Sequence, residues 1–340
     1  MERAQEVLAQ YDIGEVEALA PAGGTAGKCW RATTRAAAYF LRRRGPRTSS
    51  EAALAFDHGL RRHLLAQGVP TAAPLATTSG ETWVRTEEGV FELYPFVPGR
   101  AYGDTPQELE ATARALARFH GAARSYPRRG SYTPVPKQFA LAAPEVGGTA
   151  RIDDPGLVRN AFRRIAQGEP AMAYALRAAE ALAEEDGPET YAALPQELTH
   201  GDYHPGNLRY DEAGEVAGIF DLDWACEHTR ARDLADALIF FAGDRAAPLD
   251  GGRIESLTAG VATDLDKARR FLHAYTAAAP LTRAEAQAIP LAMRARWLAM
   301  RLEGSAKVAP ECRVWFITRE LELPLDWIAA HGGEVVAAGR

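Results

Sequence analysis

Short apolar runs alternate with Gly-rich or polar turns through residues 1–97, a pattern typical of β-strands. The start of this part, Met1 to Gln10, is instead predicted to be a polar helix. Four runs predict strands: Lys28 to Thr34, Ala38 to Arg42, Thr82 to Thr86 and Val90 to Val97. The pattern therefore indicates a small β-sheet in this part of the chain.

One stretch between these strands has helical periodicity. Thr48 with Glu51 three residues later matches a capping box, which predicts the start of a helix. Apolar residues then recur at helical spacing until Gly68 and Pro70 end the run: Ala53, Phe56, Leu60 and Leu64. We expect a single helix packed on the small sheet.

The pattern changes to long amphipathic helices after a short linker around residues 97–103. The first of these helices is predicted to begin at Thr105, its N-cap. Pro106 takes the first helical position, and Glu108 completes a capping box with Thr105. Further helical patterns lie near residues 157–185, 262–278 and 291–307. The segment from Ser125 to Pro155 is rich in Pro and Gly and predicts a long surface loop.

These patterns predict an α+β fold of two units, a β-rich unit with one helix over residues 1–97 and a larger, mostly helical unit over residues 98–340. The length of 340 residues supports two units, because a single core usually stops growing below that size. A cleft between two units is a natural place for a site.

The net charge disfavours some classes of ligand. The chain carries 39 Lys and Arg residues against 45 Asp and Glu residues, a net charge of -6, which disfavours a nucleic acid as the main ligand. Its three cysteines, Cys29, Cys226 and Cys312, are far apart and predict reduced thiols. No window has the apolar length of a membrane span, so we expect a cytoplasmic protein without membrane contact. No pattern indicates an oligomeric state.

The most informative motif is His200 to Asn207, followed by an apolar run that ends at Asp221. An Asp with an Asn five residues later has the spacing of a kinase catalytic loop, in which the Asp accepts the substrate hydroxyl proton and the Asn holds Mg²⁺. We expect Asp221 to bind the metal together with Asn207, because Mg²⁺ prefers oxygen ligands. We interpret Asp202 as the catalytic residue, and Asn207 and Asp221 as the metal ligands.

The chain resembles the aminoglycoside phosphotransferase and choline kinase superfamily over most of its length. The resemblance rests on four segments: Leu116 to His120, His200 to Asn207, Ile219 to Asp223 and Asp233 to Ala235. It implies a two-lobed protein-kinase-like fold, with a nucleotide-binding lobe over residues 1–97 and a helical lobe with the catalytic loop and the acceptor site over residues 98–340. It also implies ATP, Mg²⁺ and a small-molecule hydroxyl acceptor, which would be an aminoglycoside, an amino alcohol, homoserine or a sugar.

Candidate nucleotide-binding residues lie in the first lobe. The turn that contains Gly23, Gly24 and Gly27 precedes a strand, where backbone N–H groups can approach phosphates; a hairpin turn without a ligand has the same pattern. The resemblance assigns phosphate binding to Arg42 on the next strand, and a solvated strand end is the alternative.

Two further assignments in this lobe come from the resemblance. Glu92 and Tyr94 belong to a segment like the hinge whose backbone binds adenine, although an ordinary edge strand would look similar. The acidic partner of Arg42 on the following helix stays open between Glu51 and Asp57.

The same residues are compatible with three alternatives to the kinase interpretation. The catalytic motif could be a turn in which Asp202 and Asn207 cap backbone groups. His200, Asp202 and His204 could instead bind a hydrolytic metal, completed by Asp221 or Asp223. A pseudokinase that binds nucleotide without turnover is the third alternative.

In the kinase interpretation, His200 and His204 are supporting residues of the loop, and Asp223 assists the metal, binds a cationic group or forms a salt bridge. A preference for a cationic acceptor rests on Asp223, Glu227 and the acidic C-terminal segment.

Overall fold

A computed structural model describes residues 2–22, 29–127, 154–186, 188–247, 249–250 and 253–340. Its strands are β1 (Val16–Ala22), β2 (Cys29–Thr34), β3 (Ala38–Arg43), β4 (Val84–Thr86), β5 (Gly89–Pro95), β6 (Glu197–Thr199), β7 (Leu208–Tyr210), β8 (Val216–Ile219) and β9 (Cys226–His228). Its α-helices are α1 (Glu2–Leu8), α2 (Glu51–Ala66), α3 (Pro106–Ala123), α4 (Pro155–Ile165), α5 (Ala173–Glu185), α6 (Pro188–Ala192), α7 (Arg230–Phe241), α8 (Ile254–Leu257), α9 (Leu265–Ala278), α10 (Arg283–Ser305), α11 (Arg313–Thr318) and α12 (Glu322–Ala338).

The first five strands form one antiparallel sheet in the order β1-β2-β3-β5-β4. The four predicted strands are present with small shifts at their ends, whereas β1 was not predicted. Its side chains are exposed or half-buried throughout, so no alternating apolar pattern marks it, and it contains Pro21. The predicted strand with Lys28 as its first residue begins at Cys29 among the described residues.

Helix α1 covers one face of this sheet. Val7 and Leu8 of the helix and Tyr11 after it are buried with Trp30 and Phe91 of the sheet in a separate small core. The rings of Trp30 and Phe91 stack with their centroids 6.1 Å apart. The first lobe therefore has a core of its own.

Helix α2 begins later than predicted. Its N-cap is Ser50, whose hydroxyl accepts a hydrogen bond from the Ala53 N–H group. The predicted cap Thr48 lies in a 3-10 turn instead, and its hydroxyl donates to Asp223, 3.0 Å away. The capping box predicted at Thr48 is therefore wrong, because a second hydroxyl two residues later takes the capping position.

The two faces of α2 have different partners. Phe56, Leu60 and Leu64 belong to the large core that the helical lobe builds, so the apolar face packs on that lobe and not on the sheet. Asp57 and Arg61 are also buried, and they hydrogen-bond each other as part of a polar network with the sheet. Helix α2 is thus shared between the lobes.

The second lobe is helical, with β6 paired to β9 and β7 paired to β8 as two short antiparallel ladders. The capping box predicted at the start of α3 is present, with Thr105 and Glu108 bonded reciprocally. Every residue of α7 is buried, which places this helix at the centre of the lobe. The part of the chain that the structure describes contains no helix that is long and apolar enough to cross a membrane. Most of the loop predicted between Ser125 and Pro155 lies outside the described residues.

Candidate active site

The catalytic motif begins at a turn that requires glycine. Strand β6 ends at Thr199, and two residues later Gly201 has a φ of +81°. A Cβ atom on Gly201 would lie 2.1 Å from the backbone oxygen of Trp224. Gly201 therefore lets the loop pass close to the segment that follows Asp221.

Two buried residues, Asp233 and His120, hold this turn in place through hydrogen bonds. The Asp233 carboxylate accepts the backbone N–H groups of His200 at 2.6 Å and Gly201 at 2.9 Å, and it pairs with His120 at 3.0 Å. Burial would raise the pKa of Asp233, but its bond to His120 lowers that pKa below the usual range. The carboxylate therefore stays ionised.

His200 is held by backbone groups at both ring nitrogens. Its Nδ1 accepts the N–H group of Asp202 at 3.2 Å, so its Nε2 carries the proton and donates to the Phe220 carbonyl at 2.9 Å. Burial lowers the pKa of His200, which favours this neutral form. His200 therefore joins the catalytic motif to Phe220, and it has no lone pair left for a metal.

Asp202 lies half-buried between two partners. The Asn207 amide donates to the backbone oxygen of Asp202 at 2.9 Å and to its Oδ2 at 3.4 Å, and His204 Nε2 lies 3.5 Å from the same Oδ2. Burial would raise the pKa of Asp202, but the His204 imidazole lowers it well below the usual range. Asp202 is therefore an ionised hydrogen-bond acceptor that is partly open to solvent.

Asp221 lies beside this loop. The Phe220 N–H group donates to the Asn207 carbonyl at 2.9 Å, which holds the two segments together. Strand β8 ends at Ile219, and Asp221 follows it with a left-handed φ of 59° at the start of a 3-10 turn. Burial raises the pKa of Asp221, and the Asp223 and Asp202 carboxylates add to this effect.

Arg42 reaches from β3 to the second lobe. Its guanidinium bonds both oxygens of Asp223 at 3.0 and 2.6 Å and Asp221 Oδ1 at 3.2 Å. The partner expected on α2 was therefore wrong, since neither Glu51 nor Asp57 pairs with Arg42. Asp223 forms the salt bridge that was one of its three predicted roles.

The acidic residue of α2 pairs with a neighbouring arginine instead. Arg44 Nη1 donates to Asp57 at 2.6 Å and to Glu92 at 2.8 Å, and its Nη2 lies 3.0 Å from Asp223. His58 also contacts Glu92, at 2.6 Å. Burial would raise the pKa of Glu92, but Arg44 and His58 lower it to about 2. Asp57 and Glu92 each pair with Arg44, so this group is an ion-pair network that links α2 to the sheet.

The other residues predicted to bind nucleotide are Glu92, Tyr94 and the three glycines of the first turn. The Glu92 side chain is fully buried in the network just described, and the Tyr94 ring is buried against Arg61. In the sheet both residues pair with β3, opposite Arg42 and Phe40, and the hinge contact stays a prediction. Gly23, Gly24 and Gly27 lie outside the described residues.

A second ion pair near Asp202 was missed at the sequence level. Asp236 of α7 is fully buried and bonds Arg296 of α10 and Arg232. Phe240, one turn after Asp236, contacts His204 with ring centroids 5.4 Å apart. Asp236 follows Asp233 at i+3 on an apolar helix, which is the only sequence signal for this pair. No local pattern marks Arg296.

The fold and the site together define a phosphotransferase of the kinase type: a small sheet lobe and a helical lobe, with Asp202, Asn207 and Asp221 at their junction. Residues 17–271 match the model of the phosphotransferase enzyme family, and the chain belongs to that family. The resemblance to the aminoglycoside phosphotransferase superfamily and the prediction of an α+β kinase-like fold are confirmed.

Individual relatives agree with this assignment. The homoserine kinase of Parvibaculum lavamentivorans is 28% identical over 307 residues, which cover 88% of this chain and 85% of that protein. Among solved structures, a microcompartment-associated aminopropanol kinase has a TM-score of 0.66 at 15% identity, with 98% of each chain covered. An amicoumacin kinase in complex with AMP-PNP, Ca²⁺ and Ami has a TM-score of 0.65 at 16% identity, with 97% of this chain and 100% of that chain covered.

The metal-hydrolase alternative is wrong. It requires His200 as a ligand, and both nitrogens of that ring are bonded to backbone groups of the protein. The only grouping of metal-type side chains within the described ranges is Asp57, His58 and Glu92, which the arginines neutralise.

Proposed function

We propose that this chain transfers the γ-phosphoryl group of ATP to a hydroxyl group of a small molecule, with Mg²⁺ as cofactor. The observation that carries the proposal is the arrangement at the lobe junction. Asp202 is an ionised carboxylate that is partly open to solvent, and Asn207 and Asp221 lie beside it. Arg42, a cation suited to phosphate, bonds Asp221 from the other lobe.

The side chains present fit Mg²⁺. Asn207 donates through its amide nitrogen to Asp202, which leaves its amide oxygen free to bind a cation. Asp221 is bonded by Arg42 at Oδ1, and its Oδ2 has no hydrogen-bond partner in the described parts of the chain. An amide and a carboxylate oxygen suit a hard divalent ion, so Asn207 and Asp221 would hold it. When bound, Mg²⁺ neutralises charge on the nucleotide phosphates.

Asp202 is proposed to orient the acceptor hydroxyl and to receive its proton. The acceptor oxygen forms a bond to the γ-phosphorus while the bond from this phosphorus to the ADP oxygen breaks, and the hydroxyl proton passes to the Asp202 carboxylate. The low pKa of Asp202 keeps the carboxylate ready to accept a hydrogen bond. His204, which lies 3.5 Å from it, would hold that carboxylate in place.

The acceptor is proposed to be an amino alcohol or a hydroxy amino acid, with homoserine as the first compound to test. A relative that matches 88% of this chain is named a homoserine kinase, and a structure of the same fold is named an aminopropanol kinase. Both compounds carry an amino group, in line with the predicted cationic acceptor. Asp223 no longer supports that prediction, because Arg42 and Arg44 neutralise it.

The first test is acceptor-dependent ADP release with ATP and Mg²⁺, in the native chain and in Asp202→Asn. We expect kcat of Asp202→Asn to fall by about 10²–10⁴-fold, the usual contribution of a positioned general base, while the KM for ATP changes little. Asp211→Asn, in the exposed turn between β7 and β8, is the matched control and keeps native turnover. Unchanged turnover in Asp202→Asn would refute the assigned role. Nucleotide binding without acceptor-dependent ADP release would instead support the pseudokinase alternative.

A further inference from the structure

A buried arginine beside the catalytic loop is not used by the proposed chemistry. Arg296 lies on α10, and about 7% of its side chain is exposed. Its Nε donates to the fully buried Asp236 carboxylate, which also accepts from Arg232. The two terminal nitrogens of Arg296 have no hydrogen-bond partner within the ranges that the structure describes. The guanidinium is therefore fixed at one edge, and its outer edge is available to a ligand.

The ion pair of Arg296 with Asp236 lies close to the catalytic loop. Asp236 and Phe240 are one turn apart on α7, and the Phe240 ring contacts the His204 imidazole, which in turn contacts Asp202. Asp233, one turn before Asp236 on the same helix, accepts the backbone N–H groups of His200 and Gly201 next to Asp202. A small acceptor with its hydroxyl at Asp202 would reach Arg296.

The chemistry of a guanidinium selects an anion. Arg binds a carboxylate through two parallel N–H donors, and the Asp236 contact pre-orients this donor pair. Homoserine carries its hydroxyl and its carboxylate at opposite ends of a short chain, whereas 3-aminopropan-1-ol has the same hydroxyl and amino groups without the carboxylate. An acceptor without the carboxylate would leave a buried cation without its second partner.

We propose that Arg296 is a specificity-determining residue that binds the carboxylate of the acceptor, which makes the substrate a hydroxy amino acid and not an amino alcohol. This inference rests on the proposed kinase function. In this assignment the two terminal nitrogens of Arg296 bind the acceptor carboxylate, and Asp236 positions the guanidinium.

The experiment compares kcat/KM for L-homoserine and for 3-aminopropan-1-ol within each variant, because the ratio for one preparation does not depend on how much of it is folded. We expect the native chain to prefer L-homoserine on the order of 100-fold or more. In Arg296→Gln we expect that preference to fall to within about threefold, mainly through a higher KM for L-homoserine. Arg296→Lys keeps the charge on Asp236 and should recover only part of the preference.

Two control variants sharpen the result. Arg294→Gln, on the same helix but at a surface pair with Glu185, should keep the native preference. Arg245→Gln should keep it as well, although its guanidinium lies 5.8 Å from the Phe240 ring. Loss of the preference in Arg245→Gln but not in Arg296→Gln would overturn the assignment.

The remaining outcomes separate this inference from the proposed function. Equal use of both acceptors by the native chain would overturn the inference and leave the kinase function intact. An equal loss for both acceptors in Arg296→Gln would also overturn it, because Arg296 would then act on the phosphoryl group or on the fold. No ADP release with either acceptor would overturn the proposed acceptor class together with the inference.

Discussion

Asp202 and Asn207, the proposed catalytic residue and a proposed metal ligand, lie five residues apart in one loop, and this spacing predicts their roles. The structure brings them into contact, whereas the contacts of Arg42 and Arg296 join segments that are far apart in the sequence. The partner of Arg42 is 181 residues away, at Asp223, and local spacing cannot reveal such a contact. Arg296 was missed for the same reason, because only the tertiary fold brings it to Asp236.

The Glu92 carboxylate makes the free energy of unfolding depend on pH. Its pKa falls from 4.5 to about 2 in the folded chain, so the unfolded chain binds more protons as the solution becomes acidic. The stabilisation is complete above pH 4.5 and is lost as the pH falls towards 2.

We therefore expect the free energy of unfolding to fall by about 1 kcal/mol between pH 5 and pH 3.5 through this group alone. Urea denaturation of the native chain and of Glu92→Gln at both pH values measures this difference. Glu88→Gln, at the exposed turn between β4 and β5, is the control that keeps the native slope. An identical pH slope in Glu92→Gln and the native chain would contradict the assignment.

At the scale of elements, the sequence predicted those with strong local signals and missed those whose position depends on contacts. The capping box of α3 was found from its local spacing, and the strand segments around β2, β3 and β5 were found because short apolar runs lie between turn residues. Strand β1 has no buried face to mark it, and the start of α2 was displaced because Thr48 bonds Asp223 across the lobes.

Gly201, which follows strand β6, sets the position of Asp202. In Gly201→Ala, a Cβ atom would collide with the Trp224 backbone, and the positive φ adds about 1 kcal/mol of strain. Because Asp202 follows directly, we expect turnover to fall more than 10-fold and the melting temperature to fall as well. Gly68→Ala has nearly the same positive φ but open space around its Cβ, so it should lose about 1 kcal/mol of stability and keep its turnover. Kinetics and thermal unfolding of both variants make the comparison, and equal turnover in the two would count against the collision.

At the scale of the whole molecule, Asp223 joins the two lobes. This carboxylate of the helical lobe accepts hydrogen bonds from Arg42 and Thr48 and lies 3.0 Å from Arg44, all three in the first lobe. The lobe boundary near residue 97 remains a prediction from the change of pattern.

Asp223→Asn tests this connection. Loss of the charge leaves Arg42 and Arg44 with fewer partners, and we expect about 3 kcal/mol of destabilisation, as for other broken buried pairs. We also expect a higher KM for ATP, because Arg42 is no longer held at the junction. Calorimetric unfolding should then separate into two transitions, whereas Asp266→Asn, at a carboxylate whose side chain is 92% exposed, should unfold like the native chain. A single unshifted transition in Asp223→Asn would show that other contacts hold the lobes together.

The shared helix α2 has a consequence for control of the enzyme. Protein kinases can be switched off by displacing the helix of the small lobe that carries the acidic partner of the phosphate-binding lysine. Here the corresponding movement would pull Phe56, Leu60 and Leu64 out of the large core, at a cost of about 1.5–3 kcal/mol for each side chain. It would also expose the Asp57 ion pairs with Arg44 and Arg61. The contacts of α2 with the large core and with Arg44 of the sheet therefore oppose its displacement.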